Sequence, residues 1–158
     1  MRFTSHVALA PEIRSAVIER LNIHLANTMD LYTQVKQAHW TIKGPQFFAR
    51  HELFDSVASH LREQSDDIAE RISTLGGYPA GTIRMAAKAS AITPFDTGHV
   101  SGGHLMKDLI TRFSMHASMI REMLGHVEGQ DPASADLLTE QLRTVELDLW
   151  FFESHFNE

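Results

Sequence analysis

Apolar side chains recur along this chain in steps of three and four residues, in four separate runs. The first comprises Val17, Leu21, Leu25, Thr28, Tyr32, Val35 and His39; the second Phe54, Ala58, Leu61, Ser65, Ile68, Ile72 and Leu75. A third passes through Leu105, Leu109, Phe113, His116, Ile120 and Met123, and a fourth through Ala135, Leu138, Leu142, Val145, Leu149, Phe152 and Phe156. Such steps place one side chain per turn on the same face of an α-helix, so each run predicts a helix with a single buried stripe. The first helix should start near Pro11, run for about 28 residues and stop before Gly44-Pro45, a helix-stop and helix-start pair. The second should end at Gly76-Gly77, which can supply a left-handed cap. Residues 76–100, rich in Gly, Ala, Thr and Pro, break the rhythm, although residues 82–90 (TIRMAAKAS) could form a short helix. Asp131-Pro132 suits the N-cap and first residue of the last helix. Four long amphipathic helices with one long central connection predict an all-α, ferritin-like four-helix bundle, with a crossover carrying a short helix between helices two and three. Residues 1–10 are expected to be a short N-terminal tail and 11–158 a single bundle domain.

Composition narrows the class. A length of 158 residues with 43% hydrophobic content suits one domain with a sizeable core. No cysteine is present, so disulfides, thiolate nucleophiles and sulfur-ligated zinc or iron–sulfur centres are excluded, and any metal is expected to be held by nitrogen and oxygen. Neither a signal-peptide core nor a run approaching the ~20 apolar residues that span a bilayer is found, so a cytoplasmic protein is expected. The formal net charge of −6 disfavours nonspecific attraction to nucleic acid or anionic lipid.

Against this background one constellation stands out. His39, His51, Asp55, Asp66 and Glu70 follow one another at spacings of 12, 4, 11 and 4. They make a set of two nitrogens and three carboxylates, suited to iron, manganese or zinc. His51 with Asp55, and Asp66 with Glu70, each project from one face of helix two. The gap from Asp55 to Asp66 amounts to about 17 Å along a straight helix, whereas metal–ligand bonds are about 2 Å, so the two pairs cannot grip one ion. Their directions centre roughly 110° from the apolar stripe, beside the core rather than in it. A two-fold dimer with antiparallel helix-two packing would bring the first pair of one copy against the second pair of the other, twice over. His39, just before the Gly-Pro turn, could fold back beside His51. Taken singly, either pair would be read as a solvated or interface feature.

These residues also carry a family resemblance. His39-Trp40, Gly44, Phe47, His51-Glu52, Asp55, Asp66, Ile68-Ala69-Glu70-Arg71 and Leu75-Gly76-Gly77 are similar to the signature of Dps, the mini-ferritin of starved bacterial cells. Ala135 to Thr139 and Leu149 to Ser154 resemble that family's last helix, so the similarity covers nearly the whole chain. The resemblance implies a hollow dodecamer of tetrahedral symmetry, twelve ferroxidase sites at two-fold interfaces, and an interior that stores ferric mineral. It implies His39, His51 and Asp55 from one subunit and Asp66 and Glu70 from its mate. It further implies two irons per site, preferential oxidation of Fe(II) by hydrogen peroxide, protection of DNA from oxidative damage, and acidic three-fold pores where Asp131, Asp136 and Glu140 stand.

Other residues carry weaker expectations. Trp40 is either a sacrificial electron donor or an aromatic packed under the site. Glu52 either helps mineral nucleate or is a solvated carboxylate. Arg71 is expected to make an ion pair near the site and orient a carboxylate, Glu70 to be the principal or bridging carboxylate, and His116 to be a hydrogen-bonded core histidine. His6, His24, His60, His99, His104, His126 and His155 show no comparable pairing in the sequence. Two competing functions remain: a DNA-compacting nucleoid protein, disfavoured because Arg2 is the only fixed positive charge before Pro11 and the chain ends in Asn157-Glu158, and a structural cage whose sites hold zinc.

Overall fold

The computed structural model describes residues 3–156; Arg2, Asn157 and Glu158, which bear on the basic-tail argument, lie outside the described residues. Five helices follow in order: α1 (Pro11–Thr41), α2 (Phe47–Thr74), the short α3 (Ile83–Ala89), α4 (Gly102–Val127) and α5 (Pro132–Glu153). The expected four-helix bundle with a crossover that carries a short helix is what forms. Residues 42–46 fold α1 and α2 into one hairpin, and residues 128–131 fold α4 and α5 into another; α3 lies against α1. No helix of the described residues is long and apolar enough to cross a membrane.

The helix ends follow local chemistry. Leu75 caps α2, Gly76 adopts φ +80°, Gly76 N–H donates to Ser73 O at 2.9 Å, and Gly77 N–H donates to Ile72 O at 2.8 Å. This is the paired-bond ending that a left-handed glycine permits. A Cβ on Gly77 would lie 2.7 Å from Ile18 Cγ2, so close packing of α2 on α1 also requires glycine there. Pro45 falls outside α2, which instead starts at Phe47 behind a left-handed Gln46. Thr82 caps α3 by accepting from Met85 N–H at 3.3 Å.

Burial refines the stripes read from the sequence. In α1 the buried face keeps Val35 but takes Leu31 and Ala38 in place of Tyr32 and His39, and continues to Ile42; Tyr32 and His39 sit half-buried on its flank. In α2 Gln64 rather than Ser65 is buried. Phe156 lies beyond α5 and is exposed. At the centre, Phe152 of α5 meets Phe54 of α2 and Phe113 of α4 edge-on, with centroids 6.0 and 5.1 Å apart. Edge-to-face pairs of this kind add to the apolar burial.

A polar layer crosses the same core. His24 and Thr28 of α1, Gln64 of α2, His116 of α4 and Gln141 of α5 are all buried. His24 Nε2 lies 2.7 Å from Gln141 Oε1, and its ring stacks on His116 with centroids 5.2 Å apart. Thr28 Oγ1 lies 3.5 Å from His116 Nε2, while His116 Nδ1 has no protein partner. His116 is thus the expected core histidine, with one long hydrogen bond.

Burial holds His24 down to about 4, with the Gln141 bond opposing it, and holds His116 well below its ordinary value, with His24 adding to the effect. A histidine whose pKa is lower folded than unfolded stabilises fully above its ordinary value of 6.5, and that stability is lost as pH falls toward 4. For His24 alone the change amounts to about 3 kcal/mol. Asp148 acts in the opposite sense: burial, opposed by His60, raises it to about 6, so its share grows as pH falls through 6. Urea midpoints should therefore drop between pH 7 and 4.5, and His24→Gln should flatten that slope. An unchanged slope would rule out this cause.

Candidate metal centre

The nitrogen half is built where α1 turns into α2. His39 lies in the last turn of α1 and His51 in the second turn of α2, and their rings stack with centroids 3.7 Å apart at 20°. Each histidine donates across the turn to the other's backbone: His39 Nδ1 to His51 O at 2.9 Å, and His51 Nδ1 to His39 O at 3.0 Å. A carbonyl can only accept, so both Nδ1 atoms carry the hydrogen, and both Nε2 lone pairs remain for a metal. Such outer bonds fix the tautomer and orientation of a ligating imidazole. Phe47 covers His51 with centroids 5.2 Å apart. The turn is held from outside by Lys43 N–H donating to Val100 O at 2.9 Å and Gly102 N–H donating to Lys43 O at 3.4 Å.

Asp55, one turn after His51, is exposed and accepts from Lys36 Nζ at 2.6 Å. The Lys36 bond and charge, helped by His39 and His51, hold its carboxyl below the usual range. Lys36 is also 5.9 Å from the centre of the Trp40 ring. The Lys36–Asp55 contact could not be read from the sequence, because the two meet only through the fold of the hairpin, whereas Lys36 and Trp40, four apart on α1, are a local pair that helical spacing could have shown. Trp40 is 65% exposed, so within one chain it does not pack under the site. Glu52 is exposed on another face of α2.

Asp66 and Glu70 are exposed farther along the same helix, and Asp66 borders a cavity of about 470 Å³ with Arg62 and Glu63. The helix runs without a break from Phe47 to Thr74, so the two acidic groups stay a helix-length from the histidines. Among the described residues no three His, Asp or Glu side chains converge on a point where they could hold an ion. Within one chain there are two half-sets.

Two expectations are corrected. Arg71 does make an ion pair, but with Asp131 rather than a ligand carboxylate: its Nη2 donates to both oxygens of Asp131, at 2.9 and 2.7 Å, and its Nε to Ser134 Oγ at 2.8 Å. Asp131 is accordingly only 3% exposed, with its carboxylate committed to this tie between α2 and α5, and cannot line a pore. Asp136 and Glu140 are exposed. Glu140 shares a groove of about 250 Å³ with Glu63 and Asp67 of α2. Burial, then Glu140, Asp66 and Glu63, push the Asp67 carboxyl up. Histidines without visible pairing in the sequence also find partners: His60 Nδ1 lies 3.0 Å from Asp148 Oδ1, and His99 stacks on His104 with centroids 4.4 Å apart.

Residues 18–158 match the model of the ferritin-like domain. The chain is 37% identical over 151 residues to the DNA protection during starvation protein of Agrobacterium fabrum, covering 95% of this chain and 93% of that protein. The chain belongs to the Dps family of ferritin-like proteins. Among solved structures, Mycobacterium smegmatis Dps in its tetragonal form superposes with a TM-score of 0.95 at 26% identity, covering 100% of this chain and 96% of the other. Vibrio cholerae Dps, described as a member of a broad superfamily of ferritin-like diiron-carboxylate proteins, gives a TM-score of 0.89 at 26% identity over 99% and 98% of the two chains. Dps membership assigns the chain an iron-handling, mini-ferritin character in general terms.

Proposed function

We propose that the chain is a Dps-type ferroxidase that oxidises Fe(II) at sites shared between two subunits and stores the ferric product inside a cage. The observation that carries the reading is the crossed pair of His39 and His51 bonds, which leaves two oriented Nε2 donors with too few oxygen ligands among the described residues of their own chain. In this reading His39, His51 and Asp55 of one subunit face Asp66 and Glu70 of its mate across an antiparallel α2 pair. Two Fe(II) each give one electron to hydrogen peroxide, which with two protons becomes two waters, so no hydroxyl radical is released. Carboxylates favour the harder Fe(III) product, with Glu70 as the principal or bridging ligand. In this reading Trp40, next to His39, gives an electron when one iron alone is oxidised. The cage is a dodecamer in the cytoplasm, and it protects DNA through this chemistry rather than by coating it, since the net charge is −6. Zinc accepts the same donors and competes with iron.

Crystals soaked in Fe(II) without oxygen should show anomalous peaks between α2 helices of different subunits, and light scattering should give a twelve-subunit particle. Peaks within one subunit would overturn the shared site, and a stable dimer or 24-mer would overturn the dodecamer.

Lys36 occupies one oxygen of Asp55 and sets a positive charge beside it, so it competes with a metal for that carboxylate. Lys36→Met is therefore expected to tighten binding of Zn(II), used as a redox-silent probe, by roughly tenfold, as measured by competition with a chromogenic chelator. Unchanged or weaker binding would show that Asp55 is not a ligand.

A further inference from the structure

Helix α4 carries a second group of metal donors far from the histidine pair. Met119, Glu122, Met123 and His126 stand one or two turns apart on one face, and together line a cavity of about 200 Å³ opposite Arg20 and Asn27 of α1. Met123 is 8% exposed, Met119 is half-buried and His126 is exposed, so the group grades from core to solvent. Asn27 Oδ1 accepts from Ala91 N–H at 2.9 Å, which turns its amide nitrogen toward Met119 Sδ at 3.4 Å. That contact holds the Met119 sulfur against the α1 wall of the cavity.

We propose that Met119, Met123 and His126 bind a cuprous ion. Side chains three and four apart on a helix have Cβ atoms about 5–6 Å apart, and the three torsions of methionine let both thioethers close on one ion. The two thioethers are soft and all three donors are neutral; imidazole is borderline and accepts copper too, so the thioethers make the set favour Cu(I) over Fe(II) or Zn(II). Glu122, the one carboxylate at the cavity, faces Arg20 across it, so little net charge draws a hard dication. The chemistry is thus complementary to that of the nitrogen and oxygen donors at His39, His51, Asp55, Asp66 and Glu70. If the methionines only filled space, leucine would replace both with no effect on any metal.

The assembled protein, without oxygen, is titrated with Cu(I) against bathocuproine disulfonate, and the bound copper is examined by X-ray absorption. Wild-type protein should retain one Cu(I) per chain with sulfur in its coordination shell. Met119→Leu with Met123→Leu should weaken binding at least about tenfold and remove the sulfur signal. His126→Gln, at an exposed position, should weaken it by a similar factor and keeps the test open should the leucine pair fail to fold. His39→Ala with His51→Ala should leave the sulfur-bound copper in place. Copper bound through nitrogen alone, or undiminished in the leucine variant, would overturn the proposal, as would loss of the sulfur signal in the His39/His51 variant.

Discussion

Asp66→Ala combined with Glu70→Ala is expected to slow peroxide-driven Fe(II) oxidation by at least about a hundredfold, or about 3 kcal/mol of barrier. Both carboxylates are exposed on α2, so their removal should cost the fold little. The loss falls on chemistry because the opposite half-set then has two imidazoles and a single carboxylate to hold two irons and stabilise Fe(III). Stopped-flow absorbance measures the rate, and an unchanged rate would remove the ferroxidase assignment. A mixing experiment then separates a shared site from an internal one. His39→Ala/His51→Ala subunits, inactive alone, are dissociated and reassembled with Asp66→Ala/Glu70→Ala subunits. In a mixed dimer one site collects every defect and the other none, so activity should return toward half of wild type per mixed dimer. A site confined to one chain predicts no recovery.

Arg71→Ala is expected to destabilise the fold by about 3 kcal/mol, the lower end of the range for stranding a buried charge, since Ser134 still bonds Asp131. The side chain of Asp131 is 4% exposed, and that of Arg71 18%. Burial pushes the Asp131 carboxyl up, but Ser134 and Arg71 outweigh it and hold the group below the usual range. A carboxylate whose pKa is lowered by folding contributes fully above its ordinary value and loses that share as pH falls through the folded value, so the Arg71 effect should fade in acid. Urea midpoints at fixed protein concentration give the size. Asp131→Asn in the Arg71→Ala background should recover part of the loss, whereas additive effects in the double-mutant cycle would show that the two residues are not coupled.

Most of the bundle was legible because its information is periodic. Steps of three and four placed every long helix, and Gly76-Gly77 and Asp131-Pro132 marked helix ends in the right places, although the Asp131 carboxylate makes no capping bond and is tied to Arg71 instead. In α1 Leu31 rather than Tyr32 is buried; both are apolar, and only contact with the other helices decides which is inside. The separation of the two half-sets was likewise legible, being a length along one helix. Side-chain partners were not. Arg71 is 60 residues from Asp131, and His60 is 88 from Asp148. No spacing rule reaches across such distances, and the same acidic residue reads equally as a pore lining or as half of a buried pair until its neighbour is known.

The crossed bonds between His39 and His51 close over 12 residues, inside a hairpin that a single chain can form by itself. In the proposed arrangement the nitrogen donors are thus oriented during folding, while the remaining carboxylates arrive only with a mate. Iron oxidation would be silent in a newly made subunit and would begin once two subunits pair, the first step toward the cage that receives the product. Subunit concentration would then act as the control on when the chemistry starts.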